Sequence, residues 1–124
     1  GYALPAAIGG ATARPNQPTM AIAGDYGFQY SVQELGTAVE LGQALPIILW
    51  DNGKLKEIED SMRSAQIAPN AVIAKNPDFV SLAKAYGAYT AAPINLTAMK
   101  QAVVEAFAAD GPTLIYITPD ILAQ

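Results

Sequence analysis

The chain has 124 residues, of which seven are basic and eleven acidic, so its net charge is −4, and it contains neither cysteine nor histidine. These absences exclude disulfide scaffolds, zinc–thiolate sites, cysteine nucleophiles, Ser-His-Asp catalysis and histidine metal ligation within the chain. Charged residues make up 15% and hydrophobic residues 52%, which predicts either an unusually apolar domain or one whose surface is largely covered by the rest of a larger protein.

Helical and strand patterns alternate along the chain. In order they predict a helix at 5–13, a strand at 19–23, a helix at 31–41, a strand at 46–50, a polar helix at 54–64, a helix from 76 to just before Gly87, a short strand at 88–91, a helix at 96–109 and a strand at 113–117. Ser31 and Glu34 have the spacing of a capping box, and Gly42 is placed as a C-terminal stop. Asn95 is placed to cap the helix that follows it.

Continuously apolar strands separated by helices are typical of βαβ units. They predict an α/β fold, a three-layer sandwich around a mostly parallel sheet that is covered on both faces. Ligands of such sheets bind at the carboxyl ends of the strands. Polar residues follow two of the predicted strands, namely Asp25 after the first and Asp51-Asn52 after the second.

Asp25 lies between Gly24 and Gly27 in a turn whose backbone N–H groups could approach a phosphate. A carboxylate and a phosphate repel each other unless a cation lies between them, and Mg²⁺ prefers such oxygen ligands. Asn52 could add a neutral amide oxygen from the neighbouring strand end. The residues alone leave two interpretations open, a metal–phosphate site or ordinary turn and cap residues. The turn has neither the G-K-[ST] ending of a P-loop nor the G-x-G-x-x-G pattern.

Three segments resemble the thiamine-diphosphate-dependent enzymes. Residues 1–9, Gly-Tyr-Ala-Leu-Pro-Ala-Ala-Ile-Gly, are similar to that family's G-Y-x-L-P-A-A-I-G stretch. The residues from Gly24-Asp25 to Asp51-Asn52 resemble its G-D-G…N-N cofactor motif, in which Asp25 and Asn52 are 27 positions apart as the motif requires. Residues 28–29 and 33–39 match the acetolactate-synthase-like branch, so the resemblance covers essentially the whole chain.

The resemblance implies that residues 1–124 are the C-terminal diphosphate- and Mg²⁺-binding domain, with a thiamine-diphosphate-binding fold that is incomplete at its N-terminal side. Asp25, the Asn52 side chain and the Lys54 backbone carbonyl would be the metal ligands. The implied cofactor-binding residues are Gly24, Asp25, Tyr26, Gly27, Asn52 and Lys54. The chain departs from the family at Tyr26, where glycine is usual, and at Asp51, where asparagine is usual. Tyr26 is expected to have an ordinary backbone conformation, because a positive φ would be costly there.

The resemblance further implies an enzyme that uses thiamine diphosphate and Mg²⁺ to decarboxylate a 2-oxo acid, with or without carboligation. The activating glutamate of this family lies on a separate domain of another subunit, so no catalytic residue is assigned here and the chain alone is expected to be inactive. The segments at 27–30 and 45–52 favour the 2-oxo acid decarboxylases, including those acting on 5-guanidino-2-oxopentanoate. The alternative is a non-catalytic α/β module that binds an anion.

Partners and location follow from the same arguments. A 2-oxo acid substrate and a second subunit, in a homodimer or homotetramer, are expected in the cytoplasm. No nucleic-acid partner is expected because the basic residues are scattered. No membrane partner is expected because the longest apolar run, 44–50, is far shorter than the roughly 18 residues of a membrane span.

Other conspicuous residues have structural interpretations. Trp50 is expected to pack in the core. Glu59 and its charged neighbours on the polar helix are expected to form a solvated face. Helical spacing places four apolar residues of the last helix in the core or an interface: Leu96, Met99, Val103 and Phe107.

Overall fold

The computed structural model describes residues 1–73 and 75–123. Its helices and strands alternate as the sequence predicts, and only short turns separate most of them. In chain order the elements are α1 (Ala3–Ala13), β1 (Ala21–Gly24), α2 (Asp25–Gln29), α3 (Glu34–Leu41), β2 (Leu45–Trp50), α4 (Lys56–Ser64), α5 (Phe79–Tyr86), β3 (Tyr89–Ala91), α6 (Leu96–Phe107), β4 (Pro112–Ile117) and a 3₁₀ turn (Pro119–Leu122).

The four strands form one parallel sheet in the order β1-β2-β4-β3. Helices α1, α3 and α5 pack on one face of the sheet and α6 packs on the other. The predicted three-layer α/β sandwich with a parallel sheet is therefore confirmed. Because all strands run the same way, their carboxyl ends lie together at one edge.

The central strands are apolar on both sides, so the core has two parts. Ile47 and Leu49 of β2 face the three-helix layer, whereas Ile48 faces α6. The α6 layer does not extend over the edge strand β1. Ile22, which is paired with Ile48 in register, is 66% exposed.

The predicted capping box is wrong. Helix α3 begins at Glu34, its N-cap is Gln33, and no side chain caps it. The Ser31 hydroxyl is buried without a hydrogen-bond partner, and Glu34 accepts instead from Thr37. The physical reason is that the preceding turn is used by α2, a short helix not predicted from the sequence.

The predicted start of the helix that ends before Gly87 is also wrong. Helix α5 begins at Phe79, and Asp78 is its N-cap, accepting from the backbone N–H of Ser81. Asn76 therefore lies before the helix and is free to make other contacts. The stops at Gly42 and Gly87 are confirmed, because both glycines are left-handed C-caps. The Asn95 cap of α6 is confirmed as well.

Across residues 1–73 and 75–123, no helix has the length and apolar character needed to cross a membrane.

Candidate functional site

The two polar strand ends lie side by side. Gly24 and Trp50, the last residues of β1 and β2, are paired in register, so Asp25 and Asp51 follow at the same edge of the sheet. An open groove of about 350 Å³ lies there. Its lining includes all six residues predicted to bind the cofactor: Gly24, Asp25, Tyr26, Gly27, Asn52 and Lys54.

Asp25 is a buried carboxylate that has no cationic partner among residues 1–73 and 75–123. Only 3% of the residue is exposed. Its Oδ1 accepts from the Tyr26 backbone N–H at 2.9 Å, and its Oδ2 accepts from the Asn76 amide at 2.7 Å. Neither Asp25 nor Asp51 takes part in any ion pair within the part of the chain that the structure describes. A buried charge is expensive without an opposite charge, so Asp25 is suited to bind a cation.

Residues 51–53 form a tight turn at the end of β2. Asp51 Oδ1 accepts from the Gly53 N–H at 3.0 Å, and Asn52 Oδ1 accepts from the Lys54 N–H at 3.2 Å. Gly53 has φ +66°, which is a left-handed conformation that glycine adopts without strain. The turn therefore fixes the direction of the Asn52 side chain beside the groove.

Tyr26 has an ordinary negative φ, as expected, since only Gln66 and Ala71 are non-glycine residues with positive φ among those described. It lies in the first turn of α2, and first-turn amides have no partner within their own helix. The Tyr26 N–H already donates to Asp25 Oδ1. The next residue, Gly27, lies in the same first turn and lines the groove. A first-turn backbone N–H thus lies next to an acidic side chain at the groove, which is the arrangement expected for a phosphate held through a cation.

Asn76 also lies at the candidate site, although no sequence motif predicts it there. Its amide nitrogen donates to Asp25 at 2.7 Å and to Asp51 at 2.8 Å, and its oxygen accepts from Gln29 at 3.1 Å. A signal was present in the sequence, because Asn76 and Asp78 are both cap candidates and a helix has one N-cap. The residue not used as the cap was available for the site.

The Lys54 side chain forms an ion pair with Glu59, a residue that does not line the groove. The Lys54 ammonium lies 3.0 Å from Glu59 Oε2, and Arg63 donates to Glu59 Oε1 at 2.8 Å. Glu59 is only 7% exposed, so the expected solvated face is wrong at this position. Hydrogen bonds from Arg63 and then Lys54 lower the pKa of Glu59 below its usual value. The Lys54 backbone also pairs with Ile73, and Leu55 donates to the Val72 carbonyl at 2.8 Å.

Residues 1–117 match the family model described as the C-terminal TPP binding domain of thiamine pyrophosphate enzymes. That match covers nearly the whole chain. The chain belongs to the thiamine pyrophosphate-dependent enzyme family.

Relatives in this family include two kinds of enzyme. A probable 2-ketoarginine decarboxylase of Pseudomonas aeruginosa is 40% identical over 116 residues, which are 93% of this chain and 21% of that protein. The large subunit of acetolactate synthase isozyme 2 of Escherichia coli is 33% identical over 124 residues, 98% of this chain and 23% of that protein. The chain therefore spans about a fifth of the length of these relatives.

Solved structures of the family have the same fold. Benzoylformate decarboxylase from Polynucleobacter necessarius superimposes with a TM-score of 0.87 at 28% identity, over 93% of this chain and 23% of that one. The thiamine diphosphate-dependent 4-hydroxybenzoylformate decarboxylase of Rhodococcus jostii gives a TM-score of 0.88 at 28% identity, over 94% and 22%.

The residues of this thiamine pyrophosphate-binding domain fit a magnesium ion by their chemistry. Within the described residues, no group of three or more His, Cys, Asp or Glu side chains could hold a metal. A site at the groove would therefore combine one carboxylate with neutral oxygens and with the oxygens of a bound diphosphate. Asp25, the Asn52 amide and a backbone carbonyl at Lys54 are such a set, and Mg²⁺ is commonly bound with few carboxylates plus substrate phosphates.

Proposed function

We propose that this chain is the diphosphate- and Mg²⁺-binding domain of a larger enzyme that uses thiamine diphosphate to decarboxylate a 2-oxo acid. The observation that carries the proposal is the buried carboxylate of Asp25, which makes no ion pair within the described residues and shares one groove with Asn52 at the carboxyl ends of β1 and β2. Membership of the thiamine pyrophosphate-dependent enzyme family supports the cofactor. The small share of each relative that the chain spans supports a multidomain protein.

In this proposal Asp25 and Asn52 bind the metal, together with the Lys54 carbonyl. The second lone pair of the Asn52 oxygen is available for this, because an amide oxygen has two and the Lys54 N–H uses one. Gly24 and Gly27 let the backbone approach the diphosphate, and the amides at Tyr26 and Gly27 lie at the groove. Bound thiamine diphosphate supplies carbanion stabilisation for the reaction, and the protein supplies binding and orientation. No residue of this chain is assigned to proton transfer, so the chain alone is expected to be inactive.

A narrower candidate is a decarboxylase of 5-guanidino-2-oxopentanoate. Its support is that the probable 2-ketoarginine decarboxylase is 40% identical to the chain, against 33% for the acetolactate synthase subunit of Escherichia coli. Carboligation to an acetolactate-type product is the competing outcome. A homo-oligomer and a cytoplasmic location stay predictions from the resemblance.

Calorimetric titration of the full-length protein with thiamine diphosphate and Mg²⁺ tests the cofactor assignment. Replacing Asp25 with asparagine removes the negative charge of a direct metal ligand, so affinity should fall by more than the roughly 10–100-fold expected for an outer group. Asp110→Asn is a matched control, because Asp110 is an exposed carboxylate before β4, at the opposite edge of the sheet. Equal affinity of the Asp25 variant and wild type would refute the proposed metal site.

A panel of 2-oxo acids tests the reaction. Release of CO₂ from 5-guanidino-2-oxopentanoate in preference to pyruvate would support the narrower candidate. A ligated product from pyruvate would support the acetolactate-synthase-like outcome. Cofactor binding without turnover of any 2-oxo acid would favour the non-catalytic anion-binding module.

A further inference from the structure

One side-chain amide lies between the two carboxylates at the carboxyl ends of β1 and β2. The Asn76 nitrogen donates to Asp25 Oδ2 at 2.7 Å and to Asp51 Oδ1 at 2.8 Å. A side-chain amide has two N–H groups, so both are used. Gln29 Nε2 donates to the Asn76 oxygen at 3.1 Å, which determines which end of the amide faces the carboxylates.

The other contacts of the two carboxylates differ. Asp51 accepts three hydrogen bonds, from the Gly53 N–H, the Tyr116 hydroxyl and Asn76. Asp25 accepts two, from the Tyr26 N–H and from Asn76. An ionised carboxylate has about four lone-pair sites. Asp51 is therefore held firmly within the turn, while Asp25 keeps free lone pairs beside the groove.

The two negative charges lie close together and repel each other. No basic side chain forms an ion pair with either of them among residues 1–73 and 75–123. A shared neutral donor offsets that repulsion and links the rotamer of Asp25 to the position of Asp51. Without the amide, Asp25 would turn away from Asp51.

We propose that Asn76 is a positioning residue of the cofactor site, which orients Asp25 for the Mg²⁺–diphosphate complex by holding it against Asp51. This inference rests on the proposed function. It assigns Asn76 no contact with substrate or cofactor, because both N–H groups of its amide are used by Asp25 and Asp51. Its effect passes through the rotamer of Asp25.

The test is calorimetric titration of the full-length protein with thiamine diphosphate and Mg²⁺. Asn76→Ala should weaken binding about 10–100-fold, the usual cost of losing a group that orients a metal ligand. Asn70→Ala is the matched control, since Asn70 lies exposed in the same connection between α4 and α5. Its affinity should equal that of wild type.

A double-mutant comparison separates positioning from simple stabilisation. In an Asp51→Asn background only one of the two charges remains, so Asn76→Ala should cost several-fold less than it does in wild type. An equal cost in both backgrounds, or no cost in either, would overturn the proposal. If wild type itself does not bind the cofactor, the proposed function fails instead. If Asp25→Asn weakens binding but Asn76→Ala does not, only the role of Asn76 fails.

Circular dichroism of each apo protein shows whether the variants fold. Should Asn76→Ala lack the native spectrum, Gln29→Ala takes its place, because it removes only the donor that orients the Asn76 amide. One lost hydrogen bond of about 1 kcal/mol corresponds to about fivefold weaker binding. Unchanged affinity of a folded Gln29→Ala protein would then overturn the proposal.

Discussion

The Tyr116 hydroxyl donates to Asp51 Oδ2 at 2.9 Å and thereby joins the carboxyl ends of β4 and β2. Tyr116 pairs with Leu49 in register, so its side chain starts two positions before Asp51 in the neighbouring strand. Burial first, and then the hydrogen bond to Asp51, raise the pKa of Tyr116 to about 12 from its ordinary value of 10.0. The tyrosine is thus part of the scaffold behind the proposed metal site.

A spectroscopic titration should detect this tyrosine. Absorbance of tyrosinate should rise in two phases, and Tyr116→Phe should remove the phase near pH 12. Because the folded pKa exceeds the unfolded one, the stabilisation by Tyr116 is fully present below about pH 10 and is lost as the pH rises towards 12. The free energy of unfolding of wild type, measured with urea, should therefore fall over that interval more than that of Tyr116→Phe. Identical pH profiles would contradict the assignment.

Two glycine substitutions should have opposite effects on the free energy of unfolding. Gly53→Ala places a Cβ on a left-handed residue with φ +66°, which costs about 1–2 kcal/mol. Gly9 is an exposed residue in the middle of α1, and a Cβ there would meet no atom within 4 Å. Gly9→Ala should therefore stabilise the protein by roughly 0.5–1 kcal/mol. Urea denaturation measures both. If Gly53→Ala left the free energy of unfolding unchanged, the turn after Asn52 would have to relax without cost.

Asn95 and Ser31 are both predicted from the sequence to cap helices, but their replacement by alanine should have different effects on stability. Asn95 accepts from the Ala98 N–H at 2.8 Å, so Asn95→Ala should cost about 1 kcal/mol. The Ser31 hydroxyl is buried without a partner, so Ser31→Ala should be neutral or stabilising. Thermal unfolding of wild type and of the two variants measures both changes in stability. Destabilisation by Ser31→Ala equal to that by Asn95→Ala would restore the predicted capping box.

The sheet and the position of the site were predictable because they depend on local patterns. Continuous apolar runs identified β2 and β4, and strand direction follows from the helical connections between strands. Once the sheet is parallel, Asp25 and Asn52 must lie at the same edge. The strand at 19–23 was predicted one or two residues early, since β1 spans Ala21–Gly24.

Contacts between distant segments were not predictable from local patterns. Asn76 is 51 residues from Asp25, and no spacing rule connects them. Glu59 was assigned to a solvated face because its neighbours are charged, yet it is buried against Lys54. In α6 the spacing favoured large residues, and Met99 and Val103 do pack against the core. The buried residues of the helix, however, are Ala102 and Ala106, and Leu96 is 57% exposed. Small residues allow the helix to approach the sheet closely, which hydrophobic periodicity does not register.

The ion pairs of Glu59 should make the protein sensitive to acid. Hydrogen bonds from Arg63 and Lys54 hold the pKa of Glu59 below its ordinary value of 4.5. A lowered folded pKa means that the stabilisation is fully present above about pH 4.5 and is lost as the pH falls through the folded pKa. Glu59→Gln should therefore be less stable than wild type at pH 7, and the difference should shrink below pH 4.

The matched control is Glu57→Gln, because Glu57 is exposed in the same first turn of α4. It should lower stability little at either pH, since it leaves the contacts of Lys54 and Arg63 intact. Glu59→Gln also removes the charge that holds Lys54 beside the groove, so it should weaken binding of thiamine diphosphate and Mg²⁺. Urea titrations at both pH values measure the first effect and calorimetry the second. A stability difference between wild type and Glu59→Gln that does not change with pH would mean that Glu59 acts through packing alone, because a packing contribution is independent of its ionisation.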